Sequence, residues 1–156
     1  MKIITGTSNV PLANEVAEYI GIPLANAAIK RFADDEVFVE IKENIRGEDV
    51  FIICSTSHPA NDNLVELLVT IDALKRASAK RITAVLPFYP YSRQDKKALP
   101  REPISARLVA DLFISAGADR IVSIDLHTQQ IQGFISQPFD HLTAMPLFVN
   151  YFKDKY

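Results

Sequence analysis

Three stretches of the chain, 49–54, 81–86 and 120–124, are almost continuously apolar, about strand length and rich in Val and Ile. Runs of this kind fit strands buried on both faces, as in a parallel sheet. Between the first two, Leu64, Leu67, Leu68, Ile71 and Leu74 share one helical face of residues 63–77, and Asn63 and Glu66 have the spacing of a capping box. Between the second and third, Pro103 stands as a first-turn residue ahead of Ile104, Leu108, Leu112 and Phe113, and Gly117 marks the stop. The order β-α-β-α-β predicts right-handed crossovers and a three-layer α/β domain, a parallel sheet with helices on both faces. Residues 28–41 break the rhythm. A run at 28–32 is followed by Ala33-Asp34-Asp35 and then by 36–41, where Val37, Val39 and Ile41 alternate with Glu36, Phe38 and Glu40. This predicts a projecting β-hairpin with an acidic tip.

In such folds ligands gather beyond the carboxyl ends of the strands. Here those ends carry Ser55-Thr56-Ser57-His58, Pro87 through Asp95, and Asp125-Leu126-His127. Asp125 and His127 both face this rim if the strand period of two persists, and a carboxylate beside an imidazole suits a divalent metal or acid–base work. The bland alternative is a helix cap and a satisfied polar histidine. Arg93-Gln94-Asp95-Lys96-Lys97 with Arg101 offers donors for several phosphate oxygens, or else a solvated basic loop. The tip Asp34-Asp35-Glu36 reads first as a turn exposed to water and only second as a functional surface, and Phe32 beside it either stacks on a base or anchors the hairpin.

Composition narrows the options. A chain of 156 residues, 48% hydrophobic and 23% charged, is sized for one compact domain, 1–156. No run nears the roughly 18 apolar residues of a membrane span, and no signal-peptide core follows Met1, so the expectation is a cytoplasmic protein without a membrane partner. Cys54 is the single cysteine, which excludes an internal disulfide or a thiolate metal site. The net charge of −2 argues against nucleic-acid binding, but its distribution is uneven. Residues 1–74 hold 5 Lys/Arg against 12 Asp/Glu, and residues 75–107 hold 9 against 2. The second segment therefore needs an anionic partner or a solvated face. The five glycines, at 6, 21, 47, 117 and 133, build no glycine-rich phosphate loop, which takes the main support from ordinary kinase and dehydrogenase readings.

Five ordered motifs then point to a family: Arg31-Phe32-Ala33-Asp34-Asp35-Glu36, Asn44-Ile45-Arg46-Gly47, Asn61-Asp62-Asn63-Leu64, Tyr91-Ser92-Arg93-Gln94-Asp95, and the segment from Asp125 to Phe134. From near Met1 to at least Leu147 the chain resembles the amino-terminal half of ribose-phosphate diphosphokinase, the 5-phosphoribosyl-1-diphosphate synthase. The resemblance implies a phosphoribosyltransferase-like fold and a cytoplasmic homo-oligomer. It also implies transfer of the β,γ-diphosphoryl group of magnesium-ATP to ribose 5-phosphate, leaving AMP, a reaction governed by charge neutralisation and alignment. Carried over by motif, Arg93 and Gln94 contact ATP, and His127, with Asp125, holds Mg2+. Phe32, Asp34, Asp35 and Glu36 form the ATP-binding tip supplied from a neighbouring subunit. Arg46 and Ser78 fall where bacterial members place part of an allosteric phosphate or ADP site. Two positions depart from the pattern: Asp35 replaces a usual Gly, and Ser136 stands where an acidic residue often follows Gln132-Gly133-Phe134. Family members also carry a second, similar α/β domain, which holds the ribose-phosphate loop and the flexible catalytic loop. The resemblance thus implies an enzyme half that is inactive alone. The alternative is a non-catalytic regulatory subunit that binds nucleotide and a full-length partner.

Overall fold

A computed structural model describes all residues, 1–156. In chain order the elements are β1 (Lys2–Thr5), α1 (Val10–Ile20), β2 (Ala27–Arg31), β3 (Val37–Ile41), β4 (Asp49–Ile53), α2 (Ala60–Arg76), β5 (Arg81–Leu86), α3 (Ser105–Ala116), β6 (Arg120–Ile124), a short 3-10 helix (Gln129–Phe134), β7 (Phe139–Leu142) and α4 (Met145–Lys155). Strands β1, β4, β5, β6 and β7 form one sheet in that order, every pair parallel, while β2 and β3 form a separate antiparallel hairpin. The three apolar runs are its three central strands, as their lack of a polar face requires.

The two faces of the sheet are covered unequally. Ile4, Val50, Ile52, Ile82, Ala84, Leu86 and Ile121 join Leu67, Ile71 and Leu74 of α2 and Val109 and Phe113 of α3 in the main core. On the other face, Ala13 of α1 packs with Ile3 and Ile53 at the β1 side. Farther across that face Phe51, Val85, Val122 and Ile124 line an apolar groove of about 430 Å³. Helix α1 is set by local signals: the Asn9 side chain accepts from the Leu12 N–H at 3.3 Å, Pro11 lies in the first turn, and Gly21 ends the helix at φ +74°.

Three local expectations are corrected. Asn63 and Glu66 are not a capping box, because α2 starts a turn earlier, after Pro59. Both are buried, and they bond elsewhere: Asn63 Nδ2 donates to Ser57 O at 3.0 Å, and Glu66 accepts from the N–H and hydroxyl of Thr7, each at 2.6 Å. Pro103 precedes the N-cap Ile104 rather than entering α3. The buried side of α3 is Ala106, Val109, Ala110 and Phe113, while Leu108 and Leu112 point outward, 58% and 37% exposed. The inward side of α3 packs against both α2 and the 3-10 helix, with the small Ala106 and Ala110 between the larger Val109 and Phe113.

Candidate functional site

The loops leaving β5 and β6 form the polar part of the rim. After β5 the chain is anchored by Tyr89, which is buried, donates its hydroxyl to Ala106 O at 3.0 Å and meets Phe113 edge-on at 6.1 Å. Burial pushes the Tyr89 phenol well above its ordinary value, so it is an anchor and not an acid or base. Tyr91 takes a left-handed conformation, φ +57°, and its hydroxyl donates to Asn61 at the start of α2. The turn is closed by Gln94 N donating to Tyr91 O at 2.9 Å, and Gln94 O accepts from Ala106 N at 3.1 Å. These bonds dock the loop on the first turn of α3.

With its backbone held in this way, the loop points its cations at solvent. Arg93, Lys96, Lys97 and Arg101 are exposed, and none forms an ion pair. Arg93, Gln94, Lys96, Ala98, Glu102 and Pro103 line a shallow groove of about 450 Å³. Glu102 lines the same groove but forms no ion pair with these cations; its Oε2 accepts from the N–H groups of Ala98 and Leu99, each at 2.8 Å. Gln94 Oε1 accepts from the Ser105 hydroxyl at 2.5 Å, so its amide NH2 remains available.

After β6, His127 is exposed and its imidazole makes no hydrogen bond, whereas Leu126 N donates to Nε2 of His141 at 3.1 Å. Asp125 is left-handed at φ +45°, and its carboxylate accepts from the Thr143 hydroxyl at 2.9 Å and from Ala144 N at 3.2 Å. It therefore holds the entry to α4 and not the 3-10 helix that directly follows it. No group of three or more His, Cys, Asp or Glu side chains converges anywhere in the chain. A complete metal cage is thus not built by this chain. One exposed imidazole beside a basic surface does fit an ion whose remaining ligands are phosphate oxygens and water, the usual situation of magnesium with a nucleotide.

Asp95, between the cations, behaves differently from its neighbours. It is 6% exposed, and its Oδ2 accepts from the Thr128 hydroxyl at 2.5 Å and from Gln130 Nε2 at 2.9 Å. The Thr128 bond holds its carboxyl below the ordinary range, and the charges of Lys96 and His127 add to this. Sequence reasoning did not single out Asp95 as a site residue. Its signal was a lone acid inside a basic run.

The remaining candidates lie elsewhere. At the hairpin tip, Phe32 N donates to Glu36 O at 2.9 Å and Asp35 N to Phe32 O at 3.1 Å. Asp35 sits at φ +67°, so the left-handed turn that usually takes Gly forms here with Asp, helped by Arg31 Nη1 donating to Asp35 O at 3.0 Å. Phe32 is exposed and packs edge-on against Phe38 at 5.7 Å. The tip faces Asp62, Val65 and Val69 of α2 and shares no groove with Arg93 or His127. Arg46 and Ser78 are brought close together, although 32 positions apart in sequence. Gly47 N donates to Ser78 O at 2.9 Å, and Arg46 N is held by Asn44 Oδ1 at 3.1 Å. Both precede strands, β4 and β5, and so lie at the amino end of the sheet, opposite the rim.

Comparison with known proteins gives the family and agrees with the fold. Residues 1–117 match the model of the N-terminal domain of ribose phosphate pyrophosphokinase. The ribose-phosphate pyrophosphokinase of Agrobacterium fabrum is 60% identical over 156 residues, all of this chain and 50% of that protein. That of Granulibacter bethesdensis is 61% identical over 148 residues, 95% of this chain and 48% of its own length. The crystal structure of phosphoribosylpyrophosphate synthetase from Mycobacterium smegmatis superposes with a TM-score of 0.97 at 52% identity, covering 99% of this chain and 52% of that one. The chain spans about half the length of the curated relatives it matches.

Proposed function

The chain belongs to the family of the N-terminal domain of ribose phosphate pyrophosphokinase, and on that premise we propose that it carries the nucleotide-phosphate side of an enzyme that transfers diphosphate from magnesium-ATP to ribose 5-phosphate. The family is one of transferases of nucleotide biosynthesis. The observation that carries the finer reading is the rim itself, where four exposed cations without counter-ions stand on the loop that Asp95 ties to the loop of His127. A concave surface with uncompensated guanidinium and ammonium groups favours a polyanion over a neutral ligand.

In this reading Arg93 grips phosphate oxygens with its planar fork and Gln94 adds the amide donor that Ser105 leaves available. His127 would hold the Mg2+ that comes with ATP, with Asp125, two residues before it and fixed by Thr143 and Ala144, as the further candidate, and the ion would supply charge neutralisation along the phosphates. The sugar hydroxyl attacks the β-phosphorus, and the bond from that phosphorus to the α–β bridging oxygen breaks, releasing AMP. What this chain contributes is alignment and charge neutralisation. The resemblance assigns ribose 5-phosphate to the family's second domain, and on that reading this chain by itself yields no AMP.

Self-association completes the proposal. The acidic tip with Phe32, Asp34, Asp35 and Glu36 complements the basic rim of a second copy, which makes a homo-oligomer the working form. Arg46 and Ser78, at the opposite end of the sheet, are the place for a regulatory phosphate or ADP that does not compete at the rim. No helix is long and apolar enough to cross a membrane, and we place the protein in the cytoplasm. The relatives carry the name of the enzyme, and nothing in the structure favours the alternative of a regulatory subunit.

Calorimetric titration with magnesium-ATP tests the reading. Arg93→Ala and His127→Ala should each weaken binding by about tenfold, the loss of one charged contact, with the His127 effect disappearing when magnesium is omitted. Equal affinity of wild type and both variants would overturn it.

A further inference from the structure

We propose that Asp95 is a positioning residue of the nucleotide site: a single carboxylate oxygen, shared by Thr128 and Gln130, locks the Arg93–Gln94 loop to the His127 loop so that the two halves of the site stand in one geometry. The inference rests on the nucleotide reading above. It starts from an oddity, since an acid in the middle of a basic run repels an anionic ligand unless its carboxylate is turned away from it. Asp95 is turned inward, at 6% exposure, with two donors on Oδ2.

The connection matters because no other hydrogen bond makes it. Strands β5 and β6 stay in register only as far as Leu86 opposite Ser123. Beyond that pair, no backbone hydrogen bond joins residues 87–95 to residues 125–130. The β5 loop bonds to Thr56, Asn61 and α3, and the β6 loop bonds to His141, Thr143 and Ala144. The two bonds to Asp95 are the only polar ties between the loops that carry Arg93 and His127. Thr128 adjoins His127, and Asp95 lies two residues past Arg93, so the lock acts within two residues of each contact. A site that must hold a phosphate chain and its metal together needs its groups fixed to about half an ångström, which loops hinged separately do not provide.

The test uses Asp95→Ala and Thr128→Val, with Asp95→Asn and Thr128→Ser as conservative partners that keep an acceptor or a hydroxyl in place. Without nucleotide, Thr128→Val should raise amide exchange in residues 93–95 and 127–130 together, and Thr128→Ser should restore protection. With saturating magnesium-ATP followed by NMR, both disruptive variants should keep the Arg93 and Gln94 amide shifts but lose most of the His127 ring shift, and affinity should fall about tenfold. Asp95→Asn should recover most of both, and Thr128→Val carries the test if Asp95→Ala fails to fold. Unchanged exchange in Thr128→Val, or a full His127 ring shift in the disruptive variants, overturns the lock. A wild-type chain in which magnesium-ATP moves neither loop overturns the nucleotide reading, and with it the positioning role, while the exchange data separately report whether the two loops are tied.

Discussion

Gly6→Ala should be among the most damaging single-methyl changes in this protein. Gly6 is buried where β1 ends, and its N–H donates to Ile53 O at 2.9 Å. A Cβ there would lie 2.8 Å from Glu66 Oε1, 2.9 Å from Cys54 Sγ and 3.3 Å from Cys54 Cβ. Neither neighbour can yield cheaply. Cys54 is 1% exposed, and burial pushes its thiol up to about 11, so it stays an uncharged packing group. Glu66 is also 1% exposed and is held by Thr7 N and Thr7 Oγ1 at 2.6 Å each. Overpacking of a tight interior costs about 1–3 kcal/mol, and loosening a charged hydrogen bond adds about 1.5–3 kcal/mol where it occurs. Because the carboxylate can trade one strain for the other, the sum is about 2–4 kcal/mol, a fall in Tm of roughly 4–16 °C for a domain of this size. Thermal and urea unfolding measure it. Adding Cys54→Ala removes one of the two clashing atoms and should return about 1 kcal/mol as a favourable coupling in a double-mutant cycle. A Gly6→Ala protein within about 0.5 kcal/mol of wild type, or one whose loss is indifferent to Cys54→Ala, would refute the packing account.

Two further outcomes follow from polar groups in the interior. Ser123 is fully buried in β6 and its hydroxyl has no partner, so Ser123→Ala should leave stability unchanged or raise it by up to about 1–2 kcal/mol, measured by urea unfolding; a clear loss would reveal an acceptor that the geometry does not show. For Asp95, whose folded carboxyl is lowered chiefly by the Thr128 bond, the sign is that of a depressed acid: its contribution is present above the ordinary value of 3.8 and is lost as pH falls through the lower folded value. The stability gap between wild type and Thr128→Val should therefore be level at neutral pH and close on acidification below 3.8, and a gap that widens in acid would contradict the assignment.

The sequence alone determined the features that are encoded within one element or within a run of adjacent residues. The three central strands were legible because a strand covered on both faces has no polar face to interrupt it. The hairpin was legible from strict alternation, and the rim from the rule that parallel strands end together. The family motifs placed Arg93, Gln94 and His127 on that rim without coordinates. Tertiary structure alone decided the rest. Strand β7, with the sequence Phe-Asp-His-Leu, has no apolar pattern of its own and is a strand because β6 offers it a parallel edge, Ile121 opposite Phe139 and Ile124 opposite Leu142. Asn63 and Glu66 have the spacing of a local cap, yet Glu66 serves Thr7, 59 positions away. Leu108 and Leu112 carry the helical hydrophobicity of α3, yet the small Ala106 and Ala110 take its inner side because the neighbouring elements come close. Asp95 belongs to a basic run until Thr128 and Gln130, 33 and 35 residues later, donate to its Oδ2. Periodicity records which side of an element is turned inward. It carries no record of which distant atom waits there, because that depends on strand register and packing distance across the whole sheet.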